Sequence, residues 1–268
     1  MPLIKINNCD IYYETHGQGA PLVFLHGLGS CLEDWEFQTK ELSKFFKVIV
    51  LDFRGHGRSH KGEEEYSISL FASDIKEFTK TILGTPTHLI GVSMGGMVAM
   101  EVAATYPETV ASITVINSIV ELKPKGISQW IKFSYRICLM KILSMKSFAK
   151  IMSNNLFPNP EQADIQKIFY ERFLKNNKKS YLKTFYCMLN WSIVDRLSKI
   201  TCPALIVSGD KDYTSVSYKA WYSKKMQSAQ VVEIKDSRHV TPVDQSEKLN
   251  KEILNFIRLK QPNAELGV

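Results

Sequence analysis

Ser93 stands in Gly91-Val92-Ser93-Met94-Gly95, a G-x-S-x-G. An apolar run (residues 88–92) leads into it, and a helix-forming run (97–106) leads out. A serine in a tight strand-to-helix turn is held in strained backbone geometry, and its oxygen is lifted above the sheet. It then lies at a helix N-terminus, where partial positive charge favours an anion. Small residues at 91 and 95 let strand and helix approach. That arrangement suits nucleophilic attack on a carbonyl. The competing reading is a glycine-rich turn that merely opens a helix.

A serine hydroxyl needs a base at neutral pH. Of His16, His26, His56, His60, His88 and His239, only His239 follows the last apolar strand run, in the loop Asp236-Ser237-Arg238-His239 before the final helix. The base in turn needs an acid to fix its tautomer. The loop Gly209-Asp210-Lys211-Asp212, after the apolar run 204–208, offers two aspartates. Asp212 lies further into the loop and is the favoured partner, with Asp210 suited to capping the turn. The end of the run 110–116 holds Asn117 and Ser118, so no acid stands there. The order Ser93…Asp212…His239 is one known order of such a triad. Two backbone donors should hold an oxyanion. The Met94 amide supplies one, and the Leu28 amide in His26-Gly27-Leu28-Gly29 the other. His26 reads as a structural hydrogen-bonder.

Asp52-Phe53-Arg54-Gly55-His56-Gly57-Arg58-Ser59 lacks the Lys-Ser/Thr ending of a phosphate-binding loop. An ordered turn with internal Asp–Arg hydrogen bonding is expected there.

The elements that position these residues follow from hydrophobic period. Residues 3–6 and 10–14 alternate and read as a hairpin around Asn7-Asn8. Unbroken apolar runs at 22–25, 48–51, 87–92, 110–116, 204–208 and 230–234 read as buried strands. Helical stretches at 32–45, 69–83, 94–106 and 246–259 alternate with them. This predicts an α/β fold: a mostly parallel central sheet with helices on both faces. Between residues 121 and 191 the chain is helical, basic and aromatic, broken at Pro158-Asn159-Pro160. The expected organisation is a core of residues 1–120 and 192–260, a helical cap of 121–191, and a flexible tail of 261–268.

The whole chain has 268 residues, 44% hydrophobic and 23% charged, with Lys+Arg 34 against Asp+Glu 27. Such a composition excludes a disordered or collagen-like chain. The +7 charge is local: residues 123–190 carry 13 Lys/Arg and three acids, leaving the remainder at −3. The basic pI is therefore no argument for nucleic acid, and no nucleic-acid partner is expected. Without an 18-residue apolar run or a signal-peptide pattern, the chain is expected in the cytoplasm. Cys9, Cys31, Cys138, Cys187 and Cys202 read as free thiols.

On one continuous helix over 127–152, Lys132, Arg136, Lys146 and Lys150 would share a face of roughly 80°, with Lys141 pointing away. That describes either a solvated basic face, with a possible split near Ser144, or a basic lid that meets an anionic membrane or lipid substrate. Trp130, Phe133, Met140 and Trp191 are the expected wall of an adaptable apolar acyl pocket.

The set His26-Gly27, Asp52-x-Arg54-Gly55-His56-Gly57-x-Ser59, Gly91-x-Ser93-x-Gly95-Gly96, Gly209-Asp210-Lys211-Asp212 and His239 strongly resembles the α/β-hydrolase fold superfamily. The resemblance covers nearly the whole chain. Outside the cap it looks like the branch of small esterases, 3-oxoadipate enol-lactonases, monoacylglycerol lipases and cofactor-free haloperoxidases. Ser93 departs from the dehalogenases and epoxide hydrolases, which carry aspartate at that position. The implied activity is serine hydrolysis of a carboxylic ester of small, medium-chain or lipid-like acyl type, without metal or organic cofactor. Lactone opening, carbon–carbon bond hydrolysis, amide hydrolysis and perhydrolysis share the triad. A hydrolase-fold ligand receptor or signalling partner with slow turnover is the reading from another class. A small-molecule substrate and a monomer or dimer are expected.

Overall fold

The computed structural model describes residues 3–124 and 126–260. The strands are β1 (Leu3–Ile6), β2 (Cys9–His16), β3 (Pro21–Leu25), β4 (Lys47–Leu51), β5 (Thr87–Val92), β6 (Val110–Ile116), β7 (Ala204–Gly209) and β8 (Ala229–Ile234). Among the described residues they form one eight-stranded sheet in the order β1-β2-β4-β3-β5-β6-β7-β8. β1 and β2 pair antiparallel, as does β2 with β4; every later pairing is parallel. Leu22–Leu25, Val48–Leu51 and Ala204–Val207 are buried on both faces, as a parallel sheet covered by helices requires.

The helices are α1 (Glu36–Leu42), α2 (Ile68–Ile82), α3 (Met94–Thr105), α4 (Ile127–Ile142), α5 (Met145–Leu156), α6 (Ala163–Leu174), α7 (Lys178–Met188), α8 (Val216–Ser223), α9 (Thr241–Asp244) and α10 (Ser246–Lys260). Phe71 and Phe78 of α2 and Met97 of α3 pack with Leu89 and Ile113 on one face of the sheet. Leu249, Ile253 and Phe256 of α10 pack with Trp35, Leu42 and Phe24 on the other. Each such large apolar side chain contributes about 1.5–3 kcal/mol by leaving water.

Two details depart from the sequence reading, and a third decides between its alternatives. The stretch 32–45 divides into a 3₁₀ turn at Leu32–Trp35 and a short α1. Helix α8, the turn α9 and a 3₁₀ segment at Val194–Lys199 are additional. The stretch 127–152 is two helices: α4 stops at Leu143, and the Ser144 side chain caps α5 by accepting from the Ser147 amide. No common basic face therefore runs through it. Lys146 and Lys150 are exposed, Arg136 is half-buried, and the Lys132 side chain lies outside the described residues.

Helices α4–α7 stand between β6 and β7 in the chain. They hold a cluster of their own around Met140, Phe148, Phe173 and Tyr181. Arg172 of α6 donates to the Glu33 carbonyl at 2.9 Å and to the Asp34 carboxylate at 3.0 Å, and Asn176 donates to the Gly29 carbonyl at 2.8 Å. These bonds set the inserted helices over the loop after β3. Among the described residues no helix is long and apolar enough to cross a membrane. The expected tail, residues 261–268, lies outside the described residues.

Candidate active site

Ser93 sits between β5 and α3 with φ 53° and ψ −115°, a conformation that L residues avoid. Such a residue costs of order 1–3 kcal/mol and persists only where its surroundings over-determine it. Here the Ser93 amide donates to the Ile116 carbonyl at 2.9 Å, and its carbonyl accepts from the Ser118 hydroxyl at 2.7 Å. The glycines are sterically required. A Cβ on Gly91 would overlap the Gly95 carbonyl, and one on Gly95 would overlap the Leu25 carbonyl.

The structure brings Ser93, His239 and Asp212 together. His239 Nε2 lies 3.0 Å from Ser93 Oγ, and His239 Nδ1 lies 2.6 Å from Asp212 Oδ1. This is the spacing for proton transfer from hydroxyl to imidazole, with the carboxylate fixing the ring. Asp210 stands apart, exposed, accepting from the Ser237 amide at 3.1 Å. Burial works to raise the Asp212 pKa, but the His239 hydrogen bond and the Lys219 ammonium hold it down to about 2. Asp212 is therefore an anion at neutral pH.

Three neighbours were given no role from sequence. The Lys219 ammonium, wholly buried in α8, donates to Asp212 Oδ2 at 2.6 Å. The Tyr213 ring lies on the His239 ring, centroids 4.5 Å apart. Asn117, at φ 47°, accepts from the Gly209 amide at 2.8 Å and donates to the Arg238 and His239 carbonyls at 2.9 and 3.0 Å. The residue that ruled out an acid after β6 is thus the tie between the aspartate and histidine loops. An asparagine at a strand end beside a polar serine was the only available hint.

Met94 is the first residue of α3, so its amide belongs to the turn whose N–H groups have no intrahelical acceptor. Leu28 lines the same cavity as Ser93, and Gly27 is so close that a Cβ there would lie 3.6 Å from the Ser93 Cβ. Both residues thus border the nucleophile, Met94 by sequence and Leu28 across the cavity.

His26 is buried, its Nδ1 hydrogen-bonded to the Gly27 carbonyl at 2.8 Å and its Nε2 accepting from the Phe53 amide at 3.1 Å. In the neighbouring loop Asp52 accepts from the Leu32 and Arg58 amides, each at 2.8 Å. The expected internal Asp–Arg pairing is thus made to the Arg58 backbone. The Arg54 guanidinium instead reaches out of the loop to Asp74 and Glu64, each at 2.7 Å.

A cavity of about 590 Å³ opens above Ser93 and His239. Phe133 lines it, with Met97, Met152, Phe169, Phe173, Phe185 and Met188. The other three expected wall residues lie elsewhere. Trp130 faces outward from α4, Met140 packs inside the inserted helices against Phe148 and Tyr181, and the Trp191 indole donates to Glu101 at 3.1 Å. All three are large and apolar, which composition alone cannot sort into wall and core. Among the described residues no group of three or more His, Cys, Asp or Glu side chains is placed to hold a metal.

Residues 20–245 match the family model described as the alpha/beta hydrolase fold. The chain belongs to that family and is a hydrolase of the α/β fold. It is 28% identical over 254 residues to an (E)-2-((N-methylformamido)methylene)succinate hydrolase of Acinetobacter baylyi, covering 91% of this chain and 93% of the relative. The fold matches the enol-lactonase of Burkholderia xenovorans with a TM-score of 0.88 at 21% identity, over 96% of this chain and 99% of the other. It also matches an esterase of Exiguobacterium antarcticum with a TM-score of 0.87 at 21% identity, over 96% and 98% of the two chains.

Proposed function

We propose that the protein is a serine hydrolase of carboxylic esters, lactones being their cyclic form. The carrying observation is the continuous contact from Ser93 Oγ through His239 to the Asp212 carboxylate, at the floor of an apolar cavity. Ser93 Oγ attacks the ester carbonyl while His239 Nε2 takes its proton. The Met94 and Leu28 amides receive the oxyanion. Collapse breaks the ester C–O bond, and His239 returns the proton to the departing alcohol. Water then attacks the acyl-serine, gives a proton to His239, and releases the acid as Ser93 Oγ recovers it. Asp212 stays ionised throughout and steadies the imidazolium. The apolar wall suits a small to medium-chain or lipid-like acyl group, and the A. baylyi relative is named for hydrolysis of a succinate derivative.

Steady-state turnover of p-nitrophenyl esters from acetate to decanoate tests this reading. Wild type should turn over with a best chain length. Ser93→Ala should lower kcat by about 10⁴-fold or more, as loss of a triad member does. Equal turnover by the variant, or none by folded wild type, overturns the assignment.

A further inference from the structure

We propose that the substrate of this site carries a carboxylate, received by the guanidinium of Arg136 in the roof of the cavity. The proposal rests on the ester-hydrolase reading above and names its substrate class. Arg136 belongs to α4, three residues after Phe133, and both line the cavity that contains Ser93 and His239. The two carboxylates in that wall, Asp34 and Asp212, have cations of their own. Asp34 is held by Arg172 at 3.0 Å, and Asp212 by Lys219 at 2.6 Å. Arg136 has no acidic partner among the described residues. Its Nη2 donates to the Tyr181 hydroxyl at 3.1 Å, its guanidinium lies over the Phe185 ring at 5.3 Å, and its buried Nε has no hydrogen-bond partner among the described residues.

A half-buried cation without a counter-charge is unfavourable, and an unmet donor on it more so. The Tyr181 hydroxyl and the Phe185 face aim the guanidinium without neutralising it. A planar fork of N–H donors held over an apolar cavity matches the two oxygens of a carboxylate. Arg136 and Ser93 line the same cavity, with Phe133, Phe185 and Met188 also in its wall. The apolar wall between would take a hydrocarbon spacer. The preferred substrate is then an amphipathic ester with a hydrolysable carbonyl at one end and a carboxylate at the other.

Matched pairs test this. The p-nitrophenyl half-esters of adipic, pimelic and suberic acid place the carboxylate on the acyl side, each compared with its uncharged terminal carboxamide. Butanoyl esters of 4-hydroxybenzoate and 4-hydroxybenzamide do the same on the alcohol side. Wild type should favour the anionic member of at least one pair in kcat/KM by about ten- to hundred-fold, the span of one or two charge-assisted hydrogen bonds. Arg136→Met should bring that ratio close to one, and Arg136→Lys should retain part of it. A wild-type ratio near one in both sets overturns the proposal, as does a fall in Arg136→Met that is equal for both members of the favoured pair. Failure of every ester, charged and neutral, with folded wild type would instead sink the ester-hydrolase reading.

Discussion

Lys219 is the least expected charge near the triad. Its ammonium and the Asp212 carboxylate are 0% and 1% exposed, and burial lowers the lysine pKa. Breaking a buried pair by removing one partner costs about 3–5 kcal/mol, because the remaining charge is stranded. Thr214 also donates to Asp212 Oδ2, at 3.0 Å, but it is neutral. Lys219→Met should therefore lower stability by about 3 kcal/mol and raise the pKa of Asp212. The sign follows: with its folded pKa raised, the carboxylate protonates earlier as pH falls. The acid limb of the kcat/KM profile should move to higher pH. A loss of melting temperature with an unmoved acid limb would make Lys219 a packing residue only. Ser93 and His239 were legible because each stands in a short motif at the end of a strand or beside a helix start. Arg136 was not, because on a wheel drawn through residues 127–152 it joined the outward lysines; only the break at Ser144 and the fold of α4 over the site turn it inward.

At the scale of elements, the strands were readable because β3 to β7 are unbroken apolar runs edged by glycine, proline or polar turns. Helix α8 was hidden because its buried face includes Lys219, a residue type that ordinarily marks the solvent side. The split of α4 from α5 stood only as an alternative because no glycine or proline marks it; a serine cap does the work. The docking of α6 depends on bonds that no local pattern announces. Arg172 and Asp34 are 17% and 10% exposed in their side chains, and Arg172 also reaches Glu36 at 3.0 Å. Arg172→Met leaves Asp34 buried with the Ser30 hydroxyl as its other partner. Amide exchange in Ala163–Leu174 should then accelerate about tenfold or more, while β5 and β6 keep their protection. Uniform acceleration across the sheet would show that the inserted helices and the sheet open as one unit.

The whole molecule carries a pH liability set by buried histidines other than the one paired with Ser93. His26, His56 and His88 are buried, and burial lowers their pKa values to about 4, about 3 and about 4. His26 and His56 pack ring to ring at 5.0 Å, so charging either is opposed by the other as well. In the unfolded chain each titrates near 6.5. Between those values the unfolded state binds more protons, so stability is full above about pH 6.5 and falls as the pH drops toward 4. The Asp212 contribution lies outside this window: its folded pKa is depressed, and its stabilisation is lost only below about pH 4. Each histidine should cost about 2 kcal/mol between pH 7 and pH 5. Denaturant unfolding at pH 7, 6 and 5 reads this directly. His88 is the cleanest to remove, since it meets the Ser112 hydroxyl at 2.7 Å on the adjoining strand and is remote from the Ser93 loop. His88→Gln should flatten the stability profile by about one histidine's share, whatever its effect at pH 7. An unchanged slope would place the acid sensitivity in the His26–His56 pair, which links the loop bearing Leu28 to the Asp52 turn. Acid would then loosen the wall of the cavity before the sheet beneath it.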